Sequence, residues 1–238
     1  MPRSEKLTVA VADLLWPADL VPYKVAFYLQ AHVGGSESPL TRVRKTYGLS
    51  APRWIARLSF RGGYDGAPVF GDPEGFGPRL DSIIADLRGG EVKAVFHDFR
   101  RPSPLRPRSV VQAVTFAAAA KGATFIVLRG LAPGSIAASA GDYFGGDGRP
   151  HIVSIAATIA AGGIVTGAGS VMTGADGTAK IGINPPLSAA IANGALLPAL
   201  ATGRFQLTSD DAGQNETEVG QPTEYTLDFV EDLLASPE

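Results

Sequence analysis

The sequence predicts a mainly β protein, a β-barrel or sandwich with one short α-helix and a small inserted β-domain. The first observation is the high content of turn-forming residues, 29 Gly and 18 Pro among 238 residues, which favours many short strands joined by turns. The second is that several segments alternate apolar and polar residues with a period of two. The third is that one segment stands out for its helical periodicity. Together they favour a sheet-based core over a helical bundle.

The helix is predicted over residues 80–87, where apolar residues recur at helical spacing. Pro78 suits its first turn, and Gly89 and Gly90 suit its end, where a positive φ is favourable. A half-buried strand follows at 92–97, with alternating side chains. This stretch predicts one helix packed on a sheet.

The clearest alternation lies between residues 53 and 61. Its inward-facing residues are Trp54, Ala56, Leu58 and Phe60, and its outward-facing arginines are Arg53, Arg57 and Arg61. An antiparallel sheet with one wet face explains this pattern. Before it, we predict a strand from Lys24 to Leu29, a turn at 34–38 and a separate, strongly basic strand at 42–47. A Gly/Pro-rich segment, 62–77, is long enough to be a contact loop.

The composition indicates a discontinuous domain. Around residues 103–109 the aromatics and arginines give way to Ala and Gly, and the earlier pattern returns from Arg204. We therefore predict that residues 1–104 and 203–238 form one β-barrel domain, interrupted by an inserted β-domain, 105–202. Predicted strands of the insert are 124–129, 142–145, 151–156, 179–183 and 195–200, with helices at 110–121 and 188–193.

The charges are distributed unevenly. Sixteen of the 21 Lys and Arg residues precede residue 109, and nine acidic residues lie between 210 and 238, although the net charge is only −2. We expect Glu224 and Asp228 to lie beside Arg53, Arg57 and Arg61, where exposed cross-strand pairs would tune register. Solvated strand faces are the equally weighted alternative, and contact between basic and acidic parts of neighbouring copies is the other.

Cysteine is absent, which fits a reducing compartment and excludes thiolate chemistry. The N-terminal residues carry acids and no long apolar run, so we expect no secretory signal. The segment 154–172 is too rich in glycine and too poor in large apolar residues for a convincing membrane span. We therefore expect a soluble protein that does not insert into a membrane.

No motif in the sequence requires catalysis, a metal or a cofactor. His32, His97 and His151 lack any ligand-like spacing. His97 and Asp98 are adjacent, so they would point to opposite faces of a strand and would not pair. No G-x-S-x-G elbow places a nucleophilic serine, although composition never excludes a triad.

Two other binding chemistries are only weakly indicated. Asp142, Asp147 and Asp176 could supply calcium ligands, but their spacing matches no known loop. The basic strands with Tyr47 and Trp54 are compatible with single-stranded nucleic acid, yet the pI is about 5.9 and Trp54 belongs to the inward register. We expect no sequence-specific nucleic-acid recognition.

Several short strings share their order with a known family. They are 15–20 (LWPADL), 50–54 (SAPRW), 98–102 (DFRRP), 140–144 (AGDYF), 184–187 (NPPL) and 205–207 (FQL) with Asp210 and Asp211. In this order the chain resembles distal tail proteins of siphovirus-type phages and prophages, over nearly its whole length. The resemblance implies a β-barrel of the tube-protein type that assembles into a hexameric ring between tail tube protein and tail hub protein. It implies no catalytic residues.

The sequence therefore predicts a non-enzymatic virion protein of the tail tip, made in the host cytoplasm and needing no cofactor. The predicted subunit or tube contacts are Arg42, Arg44, Lys45, Arg53, Arg57, Arg61, Glu224 and Asp228, together with the loop 62–77. One alternative is a carbohydrate-binding module, with Tyr143 and Phe144 as almost the only aromatic candidates of the insert for stacking on a sugar. A second is a tail-tip hydrolase using His97, Asp98 and His151. A minor tail protein bound elsewhere on the tip in three copies, instead of a ring of six, is a variant that the sequence does not separate from the hexamer.

Overall fold

The computed structural model describes residues 12–62, 76–212 and 223–233, and within them the fold is mainly β. Thirteen strands in this part of the chain form three sheets, one of which is a curled half-barrel. The strands are β1 (Leu14–Leu15), β2 (Lys24–Glu37), β3 (Arg44–Gly62), β4 (Ala94–Phe96), β5 (Val110–Phe116), β6 (Phe125–Leu131), β7 (Ile136–Ser139), β8 (Tyr143–Phe144), β9 (His151–Val153), β10 (Ser170–Met172), β11 (Ala179–Asn184), β12 (Gly203–Leu207) and β13 (Thr223–Glu231). The helices are α1 (Phe76–Leu87) and α2 (Ile155–Ala160), with a 3₁₀ turn at Arg88–Gly90.

The largest sheet has six strands in the order β1-β4-β12-β13-β3-β2. Only the β1–β4 pair is parallel. The concave side holds an aromatic core in which Phe96 stacks on Phe205 with ring centroids 4.2 Å apart. All its strands come from residues 14–62, 94–96 and 203–231, so segments distant in sequence meet in one core.

Helix α1 confirms the prediction from periodicity. Leu80, Ile83 and Leu87 are buried against the sheet, which is the apolar stripe that the sequence shows. The helix ends where Gly89 and Gly90 adopt φ values of 61° and 92°, a conformation that costs glycine little. The following strand also alternates as predicted, with residues 92, 94 and 96 buried.

Strand β3 confirms the inward register of Trp54, Ala56, Leu58 and Phe60 but corrects the boundaries around it. It runs without interruption from residue 44 to residue 62, so the two strands predicted there are one. The predicted turn at 34–38 is wrong, because β2 continues to Glu37 and the chain reverses between Ser38 and Val43.

The other two sheets come from residues 110–184. One has five strands in the order β5-β6-β11-β9-β8, and the other pairs β10 with β7. They enclose a second core of mainly aliphatic side chains that includes Phe116 and Phe144. Tyr143 and Ile152 pack instead against the first core, so the two cores meet there.

Several predictions for this middle region are wrong. The predicted helix at 110–121 contains strand β5, which pairs with β6. Most of the residues of β5 are β-branched, and the run of alanines at 117–120 follows it. The predicted helix at 188–193 is an irregular segment that bridges Ile191 to Ala119. Residues 195–200 form no strand, and the sequence reasoning missed β7, β10 and α2. The segment 154–172 folds as α2 and β10; none of the helices in the described ranges is long and apolar enough to cross a membrane.

Candidate functional site

A long two-stranded ribbon leaves the six-stranded sheet and carries part of the predicted contact set. We call residues 31–51 the arm; they comprise the distal halves of β2 and β3 and the turn between them. Nearly all of its residues are exposed, with Leu40 at the turn 93% exposed. The other large apolar side chains exposed on the arm are Val33, Val43, Tyr47 and Leu49.

The local sequence explains how the arm forms. At its turn, the Arg42 N–H donates to the Ser38 carbonyl at 2.9 Å, and the Ser38 hydroxyl accepts from the Thr41 N–H at 3.3 Å. Gly34 lies opposite Tyr47 in the β2–β3 register. A Cβ at position 34 would approach the Tyr47 ring to 2.7 Å, so glycine lets that ring lie across the ribbon. Gly34 and Gly35, which the sequence predicts to lie in a turn, are strand residues of β2.

The arm is basic at its outer end. Arg42, Arg44 and Lys45 are all exposed there, and none of the three forms an ion pair with the part of the chain that the structure describes. Glu37, the cross-strand neighbour of Arg44, is the single acid of the arm. The arm therefore offers positive charge and apolar surface together.

The other predicted contact residues are arranged as the sequence indicated, on the outer face of β3 and β13. Asp228 lies opposite Arg57 and Glu224 lies opposite Arg61 in the antiparallel register. The Arg57 guanidinium donates two hydrogen bonds to the Asp228 carboxylate, at 2.6 and 3.0 Å. The Arg61 guanidinium stacks on the Tyr23 ring at 4.5 Å, and the Tyr23 hydroxyl donates to Glu224.

These charges therefore have partners within the chain and are less available for a neighbour than those of the arm. Arg53, also predicted to lie beside Glu224 and Asp228, pairs instead with Gln30 of β2 and donates to its side chain at 3.5 Å, so that part of the prediction is wrong. Most of the loop predicted at 62–77 lies outside the described residues, since residues 63–75 are not among them.

The two aromatic residues predicted to contact a glycan have different environments. Phe144 is 2% exposed, lies in the second core and faces the Arg108 guanidinium at 4.8 Å. Its ring cannot stack on a sugar, so that prediction is corrected. Tyr143 is half-buried and lines a cleft. Burial and the neighbouring Asp98 carboxylate raise the pKa of its hydroxyl to about 12.

The residues of the hydrolase alternative are separated from each other. Asp98 is buried, and Arg100 donates to both of its carboxylate oxygens at 2.8 to 3.2 Å. His97 packs against Phe99 instead of pairing with Asp98, as the strand geometry predicted, and burial lowers the pKa of its imidazole. His151 belongs to the second core region and contacts other groups.

His151 and Asp147 form a buried polar cluster that sequence reasoning missed. The Asp147 carboxylate lies 2.7 Å from His151 Nε2, while His151 Nδ1 lies 2.7 Å from the Pro185 carbonyl oxygen. Both ring nitrogens face acceptors, so both bonds form together only when both carry protons. Ser188 donates to the same carboxylate through its N–H at 2.6 Å and its hydroxyl at 2.9 Å. Since Asp147 lies between the imidazole and the hydroxyl, this is not a nucleophile–base arrangement.

Replacing Asp147 with Asn should lower stability and flatten its acid dependence. Burial opposes ionisation of Asp147, but the bonds from His151 and Ser188 outweigh it and hold its pKa at about 2, below the ordinary 3.8. A carboxylate with a lowered pKa stabilises the fold above pH 3.8 and loses that contribution as the pH falls towards 2. The contribution is roughly 2 kcal/mol. Urea unfolding of both proteins between pH 7 and pH 2 measures it, with D86N on the surface of α1 as control; equal pH slopes for wild type and D147N would refute the assignment.

A second buried cluster joins the five-stranded sheet region to the half-barrel. The Arg149 guanidinium donates to both carboxylate oxygens of Glu231, at 2.8 and 2.7 Å, and to the Pro52 carbonyl at 3.0 Å. The Trp54 N–H donates to Glu231 at 2.8 Å, and its indole N–H donates to the Pro150 carbonyl at 2.7 Å. Burial raises the pKa of Glu231, and the Arg149 guanidinium opposes that rise.

The candidate calcium ligands serve structural roles. Asp142 is buried and accepts the N–H groups of Leu105 and Ser139, both at 2.8 Å, while Asp176 accepts from Thr178. No group of three potential metal ligands occurs among the described residues. Comparison with known protein families and with curated protein sequences gave no match.

Proposed function

We propose that this chain is a non-enzymatic structural protein of a phage tail tip, a distal-tail component that forms a ring joining the tail tube to the hub. The observation that carries the proposal is the arm, residues 31–51, which projects apolar and basic side chains away from the sheet. The order of the short sequence strings that resembles distal tail proteins supports it independently.

A projecting ribbon of this kind gains stability from a neighbour. Two-stranded hairpins are marginally stable alone in water, and this one leaves five large apolar side chains exposed, Val33, Leu40, Val43, Tyr47 and Leu49. A second copy that covered the arm would bury the apolar side chains of Leu40, Val43 and Tyr47. Burial of this surface would stabilise a ribbon that packs against little else.

Charge complementarity favours a copy of this chain as that neighbour. An acidic patch lies at the C-terminal end of α1, where Asp210 packs against Gly89. Its exposed acids are Asp86, Glu91, Asp210 and Asp211. Two cations lie among them, Arg88 and the partly buried Lys93, which donates to the Gly90 carbonyl at 2.8 Å. The arm of one copy meeting this patch on the next is a heterologous contact, which closes into a ring when the rotation allows.

We also propose that the half-barrel domain, 1–104 with 203–238, forms the ring and presents the inserted domain, 105–202. The strands divide at these boundaries, and each group encloses its own core. The discontinuous organisation predicted from composition is compatible with that division.

Light scattering of the purified protein at several concentrations tests the proposal. We expect a species of about 148 kDa, six copies of the 24.7 kDa chain, that persists on dilution. A mass near 74 kDa would indicate three copies and replace the hexamer with a trimer. A single mass of about 25 kDa at every concentration would contradict self-assembly through the arm.

A further inference from the structure

We propose that the free edge of β2 beside the inserted domain binds an extended, acidic peptide segment of a partner protein as an added β-strand. The site is the cleft between the half-barrel and the five-stranded sheet, with a volume of about 530 Å³. Strand β2 is the last strand of its sheet, so no strand of the described chain covers this edge. The proposal does not depend on ring formation.

At alternate residues the backbone of β2 points its peptide groups away from β3, towards the side on which Arg100 lies. Arg100 donates to the Phe27 carbonyl at 2.6 Å from the side opposite β3, so the peptide groups of Phe27 face outward. Trp54, the cross-strand partner of Leu29, turns its N–H towards Glu231 of β13 and away from β2. Leu29 is therefore a non-hydrogen-bonded position whose N–H and carbonyl also point outward.

The cleft has the shape that an added strand needs. Phe27, Leu29 and Ala31 of β2 line one side, with Pro52 and Trp54 of β3 beside them. Tyr143, Ile152 and Asn184 line the other side. The β2 register shifts after Gln30, so the regular edge comprises residues 27–30, which span about 13 Å at 3.3 Å per residue, enough for a segment of roughly four residues. Main-chain pairing of this kind supplies affinity, and flanking side chains supply specificity.

The charge of the cleft selects an acidic segment. Arg101 is exposed, and the Gly141 carbonyl, at 2.8 Å, is the single acceptor that its guanidinium contacts among the described residues. The Arg100 side chain is 43% exposed although it pairs with Asp98. Since Asp98 is buried beneath this pair, the cleft presents two guanidinium groups and no free carboxylate.

A peptide fits these groups better than a saccharide does. The Phe27 and Trp54 rings are 4% and 2% exposed, so they offer no open face for sugar stacking. The outward backbone groups are the N–H and carbonyl of Leu29 and the N–H of Phe27, while the Phe27 carbonyl already accepts from Arg100. The exposed acids of the described chain lie mainly on helices, turns and paired strands, which favours a partner protein over a second copy.

Fluorescence anisotropy with a labelled heptapeptide, Thr-Val-Glu-Val-Glu-Val-Thr, tests the proposal on the full chain. We expect saturable binding, at least tenfold weaker for the variant R101E and unchanged for the control R106E, an exposed arginine outside the cleft. A peptide N-methylated at alternate residues should lose binding, because it cannot complete the ladder. Hydrogen exchange of the 25–33 region should slow only with the unmethylated peptide.

Four outcomes would overturn the proposal. They are no binding at millimolar peptide, equal binding of the N-methylated peptide, equal binding by R101E, and displacement of the peptide by an oligogalacturonate, which would assign the cleft to an anionic saccharide. A lower mass of R101E in light scattering would instead assign the edge to a second copy.

Discussion

The substitution R149M is expected to lower the free energy of unfolding by about 3–5 kcal/mol. Arg149 and Glu231 are 5% and 1% exposed at their side chains, and removing the cation leaves a carboxylate buried without its partner. The pair also joins two parts of the chain that are 82 residues apart, so the loss should loosen the inserted domain on the half-barrel. Urea denaturation followed by tryptophan fluorescence, from Trp16 and Trp54 in the first core, and by circular dichroism measures both effects.

A double variant separates the unpaired charge from the lost packing. Combining R149M with E231Q removes both charges but keeps an oxygen that accepts the Trp54 N–H. It should recover a large part of the loss, since replacing both partners of a buried pair is often nearly neutral. If R149M cost less than about 1 kcal/mol, or if the double variant were as unstable as R149M, the buried pair would not have the role assigned to it.

The triple variant R42E/R44E/K45E is expected to abolish assembly without unfolding the chain. All three side chains are exposed on the arm and make no ion pair with the described part of the chain, so reversal should leave the monomer intact. In the assembled ring the three new glutamates would face the acidic patch of a neighbouring copy. This repulsion between like charges should weaken association more than it weakens folding. Light scattering should show a fall from the ring mass to about 25 kDa, with an unchanged circular dichroism spectrum.

A matched triple reversal on the inserted domain controls for net charge. R106E/K121E/R129E changes the charge by the same amount on exposed residues away from the arm. It should retain the ring mass. Two outcomes would exclude the arm as the specific contact and remove the main support for the proposed ring. One is an arm variant with the same mass as the wild type, and the other is equal dissociation of both variants.

The two variants also test different parts of the proposed function. The R149M experiment concerns how firmly the inserted domain is held, and its outcome does not depend on oligomeric state. The arm experiment concerns only contacts between copies. A chain that remains assembled with a loosened insert would therefore still be compatible with a tail-tip ring.

Local periodicity determined much of the fold. The helix at Phe76–Leu87, its glycine end and the inward register of β3 all follow from the spacing of apolar residues along a continuous segment. The cross-strand approach of Asp228 to Arg57 was also predictable, because alternation assigns each residue a face once two strands are neighbours.

Tertiary structure alone decided the rest. The pairing of Arg149 with Glu231, the position of Asp147 between His151 and Ser188, and the burial of Phe144 depend on contacts between distant segments. The same applies to β5, which pairs with β6 where the sequence predicts a helix, and to the arm, where Gly34 fits beside Tyr47. A single sequence records the preferences of each segment, but which buried polar groups meet is determined by packing the segments together, because unpaired groups there are costly.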